Sequence, residues 1–323
     1  MNTLNSFNVL ITSLSSKAAL IREVRKALLK IHSDGRVIGA DSNPDCIGRY
    51  FVDDFWEMPP IDRLDSKLVA RYCKANGIRS IIPTRDGELY FFAEKRDLLH
   101  RNGIGVMIAS PQSVQTCLDK RKFFSSLKNI NGLKPIPTFD LPDSNCGKRW
   151  VVKERFGSGS RNIMLNVSAE AARLSLDRFE NPILQPYVHG QEYSVDLYIS
   201  QNKAPKGCVV RSRDMVVHGE SQMTTTADRP DIEKICLETA TAIGLTGHAL
   251  IQIIEDVSGA LHLLECNSRF GGASSLSVAA GLDSFYWFFR ECSGDDLSEV
   301  PFVSGKPGFR QIRYAEDKVV QVT

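Results

Sequence analysis

Residues 261–276 read L-H-L-L-E-C-N-S-R-F-G-G-A-S-S-L, an apolar run that turns polar at Glu265, Asn267 and Arg269 and then meets Gly271-Gly272. In an extended strand alternate residues share a face, so these three side chains point the same way. A carboxylate, an amide oxygen and a guanidinium then converge. Upstream, residues 247–254 (G-H-A-L-I-Q-I-I) read as the antiparallel partner, with Gln252 polar inside an apolar run. Carboxylate and amide oxygens suit a hard divalent ion such as Mg2+ (or Mn2+), and an arginine beside them suits a phosphoryl group held by that ion. The same residues would equally serve an edge strand facing water. The rest of the chain decides between the two.

The chain has 323 residues, too many for one ordinary domain and enough for two or three fused ones. Hydrophobic residues make up 42% and charged residues 24%, the balance of a globular protein with a substantial core. A formal net charge of +2 gives no reason to expect nucleic acid. The eight cysteines are scattered without a C-x-x-C pair, which suits reduced thiols in a cytoplasm rather than a zinc site or disulfide framework. The first residues, M-N-T-L-N-S-F-N-V-L-I-T, lack a basic leader, and no apolar stretch reaches the ~18 residues of a membrane span. The expectation is a cytoplasmic protein.

From the other end, Phe7–Thr12 is a short apolar strand, and Lys17–Ile31 has apolar residues at helical spacing. Strands follow at Arg36–Asp41, Ser80–Pro83 and Gly105–Ala109, with helices at Leu64–Asn76 and Leu89–Arg101. This alternation predicts a parallel, doubly wound α/β domain over residues 1–110. Its first turn, L-S-S-K, lacks the G-x-G-x-x-G that cradles a dinucleotide, which weighs against a dehydrogenase. Thr84, Arg85, Asp86 and Glu88 follow a strand's C-terminal end, where α/β domains place ligand contacts, and are candidate substrate-lining residues.

Beyond Ser110-Pro111 the pattern changes. Gln112–Asn129 reads as one helix carrying Lys120, and Trp150–Glu154 as a strand ending in Lys153 and the loop R-F-G-S-G-S-R. Glu192–Ser200 and Gly207–Arg213 alternate like paired antiparallel strands, and Pro230–Ile243 reads as a helix. Phe309–Tyr314 and Lys318–Val322 read as a closing hairpin. The class is therefore α/β plus α+β.

Four features stand in order: Lys120 in D-K, Lys153 before a Gly/Ser loop, Q-P-Y-V-H-G-Q-E, and the Q…E-x-N-x-R strand pair. Together they resemble the ATP-grasp superfamily, with a likeness to single-unit proteins related to the large subunit of carbamoyl-phosphate synthetase. The resemblance implies a Rossmann-like pre-ATP-grasp domain (1–110), an ATP-grasp domain (111–303, lid about 133–187) whose two α+β subdomains grip the nucleotide, and a closing hairpin (304–323). It implies ATP and Mg2+ as cofactors. Lys120 and Lys153 are then the phosphate cations, and Gly157, Ser158, Gly159 and Ser160 the lid over them. Gln185, Tyr187 and Val188 meet the adenine, and Glu192 the ribose. Gln252, Glu265 and Asn267 hold one or two metals, and Arg269 faces the γ-phosphate. Glu often stands where Gln185 is. Glu154 and Arg155 follow Lys153 where relatives often have Pro.

Arg211 and Arg213 alternate on one strand face, a natural fork for a substrate carboxylate, and precede a segment carrying His218. Arg269, Lys153 and Arg211 are the catalytic candidates; Asp86, Glu88, Arg211, Arg213 and His218 are the candidates for the substrate. The expected activity is an ATP-dependent carboxylate–amine ligase acting through an acyl phosphate, with small-molecule carboxylate and amine partners and no membrane or nucleic acid. The alternatives are a bicarbonate- or carbamate-phosphorylating enzyme and a non-catalytic ATP-binding regulatory module. A homodimer through the first domain is a further implication of the resemblance.

Overall fold

The computed structural model describes residues 7–127, 133–143, 145–157 and 162–321. The chain opens with β1 (Asn8–Thr12), α1 (Ala18–Leu29), β2 (Val37–Asp41), β3 (Asp54–Glu57), α2 (Ser66–Ala75), β4 (Ile78–Ile82), α3 (Asp86–Arg101) and β5 (Gly105–Val106). These strands make a five-stranded sheet in the order β3-β2-β1-β4-β5, with every pairing parallel. β1 is buried along its whole length, as a parallel strand covered on both faces must be. In α1 the expected stripe is buried at Ile21, Val24 and Leu28, joined by Leu20 and Ala27, while Ala18 and Ile31 at its ends stay partly exposed.

The predicted single helix over 112–129 is two: α4 (Pro111–Leu118) and α5 (Lys120–Ser126). Asp119 lies between them in an extended conformation, and its carboxylate accepts from the Arg121 and Lys122 amides, capping a new helix. Lys120 is thus a first-turn residue and not a mid-helix one. β6 (Lys134–Pro135) pairs in parallel with β14 (Leu261–Asn267), so residues 134–135 belong to the large sheet rather than to the lid. The lid sheet is β7 (Arg149–Glu154), β8 (Ile163–Ser168) and β9 (Pro182–Pro186), in the order β8-β7-β9, with α6 (Ala169–Leu174) between its strands in sequence.

The large sheet is built from β10 (Gly190–Ile199), β11 (Pro205–Val217), β12 (Glu220–Thr226), β13 (Gly247–Asp256), β14 and β16 (Arg310–Ile312), with β15 (Val303–Ser304) beside β11. Its order is β16-β12-β11-β10-β13-β14-β6. Helix α7 (Pro230–Ala242) covers one face through Ile232, Cys236 and Ala240, which join Val195, Leu197 and Ile251 in a shared core. Helices α8 (Ser275–Ala279) and α9 (Ser284–Cys292) lie on the other side, where Phe285 and Phe288 pack with Val9, Ile21 and Val24 of the first unit. Both apolar clusters therefore run from the first sheet into the second. That continuity holds the first unit's strand ends against the large sheet.

Among the described residues the expected C-terminal hairpin does not form; Val322 lies outside them. Residues 310–312 pair instead with β12, and residues 313–321 have no regular structure. They cross the first unit, where Lys318 Nζ donates to the Tyr50 carbonyl at 2.5 Å and sits over the Phe51 ring. No helix among the described residues is long and apolar enough to cross a membrane.

Candidate functional site

The antiparallel register of the large sheet sets Glu265 opposite Gln252, Gln252 opposite Ser194, and Ser194 opposite Arg211. Directly opposed residues share a face, so this row presents one carboxylate, one amide and one guanidinium on the same side. An irregularity in the pairing after Gln252 leaves β14 an extra residue, which keeps Glu265 on the Gln252 face. Asn267 lies two residues on; its Nδ2 donates to Glu265 Oε1 at 3.3 Å, and its Oδ1 accepts from Arg269 Nη2 at 3.3 Å. Gln252, Glu265 and Asn267 thus supply hard oxygens with a single negative charge among them. No group of three or more His, Cys, Asp or Glu residues that could hold a metal exists among the described residues. The set fits Mg2+ only where phosphate oxygens complete it.

Cations surround that carboxylate. Lys153, near the end of β7, is buried, and burial pushes its ammonium down to about 8 against the opposing pull of Glu265. Lys120 is close enough to Lys153 to add to the depression. Its Nζ donates to the Gly157 carbonyl at 2.9 Å, which ties α5 to the base of the Gly/Ser loop. Gly157 has φ +115°, a conformation that L side chains rarely adopt. Arg155, next to it, grips the Asp119 carboxylate through Nε at 2.8 Å and Nη2 at 2.6 Å. A cavity of ≈ 10 Å³ lies among Lys120, Gly157, Cys117, Glu265, Asn267 and Asp86. Ser158, Gly159 and Ser160 lie outside the described residues.

Gln185 on β9 is buried, and its Nε2 donates to the Ile136 carbonyl at 3.2 Å. The Tyr187 amide is engaged with the Arg149 carbonyl at 2.9 Å. Glu192, at the start of β10, is part exposed and lies 3.3 Å from Arg213 Nε.

The arginine fork does not exist as a fork. Arg211 turns to Asp196 (Nε to Oδ2, 2.8 Å), while Arg213 turns to Glu192 and donates to the Gly219 carbonyl at 2.9 Å. The two share a face, but carboxylates at different diagonal positions pull their guanidinium groups apart. His218 is exposed at the turn between β11 and β12, with φ 50°, and is not gathered into this row. Glu88 is fully buried: its Oε2 accepts from Ser13 Oγ at 2.7 Å and its Oε1 from the Thr84 and Arg85 amides at 2.7 and 3.1 Å. It caps α3 and does not line a substrate surface. Asp86 lies at the interface, bound to Arg269 through Nε at 2.5 Å and Nη2 at 3.0 Å.

Two residues escaped the sequence reading. Lys17 is half-buried after β1, and its Nζ donates to the Ser13 carbonyl at 2.8 Å. Asp196 is completely buried, although E-Y-S-V-D-L-Y-I-S alternates like a strand with a wet face. The available signal was the polar series Glu192, Ser194, Asp196 on the face shared with Gln252.

Residues 178–313 match a family described as ATP-grasp in the biosynthetic pathway with Ter operon, and residues 9–107 match the PylC-like N-terminal domain. Among curated proteins, the carbamoyl phosphate synthase large chain of Sulfolobus acidocaldarius is 23% identical over 233 residues, 64% of this chain but only 22% of that protein. The biotin carboxylase domain of Hydrogenobacter thermophilus 2-oxoglutarate carboxylase, solved with MgADP, ADP and bicarbonate, superposes with a TM-score of 0.71 at 16% identity, covering 91% of this chain and 71% of that one. N5-carboxyaminoimidazole synthetase from Staphylococcus aureus, solved with ADP, gives 0.71 at 17% identity, covering 95% and 82%. L-amino acid ligase from Bacillus licheniformis gives 0.68 at 16% identity, covering 92% and 77%. At these identities the structural likenesses carry the fold.

Proposed function

Since the chain belongs to the ATP-grasp superfamily, we propose that it is an ATP-dependent, ADP-forming carboxylate–amine ligase. The observation that carries this reading is the carboxylate Glu265, flanked by the amides Gln252 and Asn267, with Lys120, Lys153 and the Asp86-bound Arg269 about it. An excess of cations around one metal-binding carboxylate suits a triphosphate that brings about four negative charges with a divalent ion. The names of two structural neighbours, a synthetase and an amino acid ligase, agree with it.

Mg2+ bound by Glu265 and Asn267, with Gln252 as a further oxygen ligand, would neutralise phosphate charge and hold the phosphates in place. Lys153 and Lys120 meet the phosphates, with Gly157 held at the base of the loop by Lys120. Gln185 Oε1 accepts from the adenine amine, Val188 meets the ring, and Glu192 accepts from the ribose. A substrate carboxylate oxygen attacks the γ-phosphorus, and ADP leaves. The amine nitrogen then attacks the acyl carbon, phosphate leaves, and the amine's proton passes to solvent. Arg269 faces the charge that develops on the transferred phosphoryl group, and Arg211 flanks it. The activation is needed because phosphate leaves a carbonyl carbon far more readily than oxide does. The setting for this chemistry is a cytoplasm.

The test is ADP release with MgATP, screened over pairs of amino acids or uronic acids with amines. The expected result is release that needs both partners and falls at least 100-fold in Glu265→Gln. Failure to bind MgATP, or an unchanged rate in Glu265→Gln, overturns the reading.

A further inference from the structure

Asp196, two residues beyond Ser194 on β10 and on the same face as the site row, is 0% exposed and has no role in the chemistry above. Its Oδ2 accepts from Arg211 Nε at 2.8 Å and from Ser277 Oγ at 2.6 Å. Its Oδ1 pairs with Ser274 Oγ and with His248 Nε2 at 3.2 Å, while His248 Nδ1 meets Ser284 Oγ at 2.9 Å. Ser274 Oγ in turn accepts from the Gly271 amide at 2.9 Å. Burial alone would raise this carboxyl, but the Arg211 guanidinium and the bonds from His248 and Ser274 hold it well below the usual range. A carboxylate with four partners is an expensive way to fill a core, because apolar residues of similar volume stabilise a fold at least as well.

What distinguishes the network is where its arms end. One arm holds Arg211 by Nε, with Nη1 3.4 Å from Thr224 Oγ1, leaving Nη2 without a protein acceptor among the described residues. The second arm, through Ser274, holds the turn that follows Arg269. There Gly271 passes so close to Leu250 and Ser274 that an added Cβ would lie 2.7 and 2.8 Å from their side chains. One buried anion therefore tethers both segments that present arginines to the site. We propose that Asp196 is a positioning residue, which aims Arg211 at the transferring phosphoryl group and fixes the turn that sets Arg269. The inference rests on the ligase reading above.

It is tested with MgATP and a pool of amino acids, uronic acids and amines, following ADP release, and with MgADP affinity measured separately. Asp196→Asn keeps the shape and removes the charge. The expected result is a kcat about 100-fold lower with MgADP affinity within threefold of wild type. Arg211→Met, which leaves the Ser274 arm intact, should lose no more than Asp196→Asn, and the double variant should be no worse than Asp196→Asn alone. If Asp196→Asn does not fold, Ser274→Ala/Ser277→Ala removes one partner from each oxygen and keeps the charge; kcat should then fall roughly fivefold to tenfold at unchanged MgADP affinity. Wild-type kcat in folded Asp196→Asn or in the double serine variant, or losses that multiply with Arg211→Met, overturn the positioning role alone. Wild-type protein that releases no ADP overturns the ligase reading and the inference with it.

Discussion

Arg269, just past β14, and Asp86, the first residue of α3, are 183 positions apart and form a two-point ion pair at 2.5 and 3.0 Å. The pair joins the strand ends of the first sheet to the site edge of the second. Removing one partner of such a largely buried pair leaves an uncompensated charge. Asp86→Ala should lower stability by ~3 kcal/mol in denaturant unfolding. It should also slow ADP release, because Arg269 loses its fixed direction. Stability within ~0.5 kcal/mol of wild type would show that the pair is not structural.

Lys153 makes a proton-linked prediction. Its ammonium is depressed to about 8 by burial, against an unfolded value near 10.5. Between those values the unfolded chain binds more protons, so this group's contribution to stability rises with pH across that window. Phosphates arriving beside Lys153 favour its charged form. Binding of MgATP at pH 8.5 should therefore take up roughly half a proton or more, and at pH 6.5 almost none. Calorimetry in two buffers of different ionisation enthalpy measures this directly, and Lys153→Met should abolish it.

Glu88 should behave in the opposite sense. Burial raises its carboxyl above 4.5, although Ser13 and two backbone amides bond to it. Where the folded state holds the proton longer, this group's contribution to stability falls as pH rises from 4.5 through the raised value. Glu88→Gln preserves the cap without the charge, so its melting temperature should gain on wild type as pH rises through that window. Glu88→Ala, which leaves three donors unpaired, should cost about 2 kcal/mol or more.

The metal set has one carboxylate where two would bind more tightly. Gln252→Glu places a second one directly opposite Glu265. In titrations of MgADP binding, the Mg2+ concentration at half-saturation should fall about tenfold, equivalent to ~1.4 kcal/mol. No change would place Gln252 outside the metal's reach.

Much of the fold was legible because its signals are local. The helical stripe of α1, the continuous apolar run of β1 and the alternation of β10 and β11 each follow from neighbours a few residues away. The break at Asp119 was missed because an aspartate within a helical pattern reads equally as a solvated residue or as a cap. The hairpin predicted at the C-terminus failed because β12 offers residues 310–312 a partner that no local pattern reveals.

By itself, the sequence determined the parallel first unit, the antiparallel second one, and the order of Lys120, Lys153, Gln252, Glu265, Asn267 and Arg269. Strand alternation was enough to put Glu265 and Asn267 on one face. Only the tertiary structure decided which charged groups neutralise each other: Asp86 with Arg269, Asp196 with Arg211, Glu192 with Arg213. It also removed Glu88 from the substrate surface and buried Asp196 beside the site row. The reason is physical. Alternation and periodicity arise from adjacent residues, whereas burial and the choice of an ionic partner depend on segments that meet only once the sheets are packed.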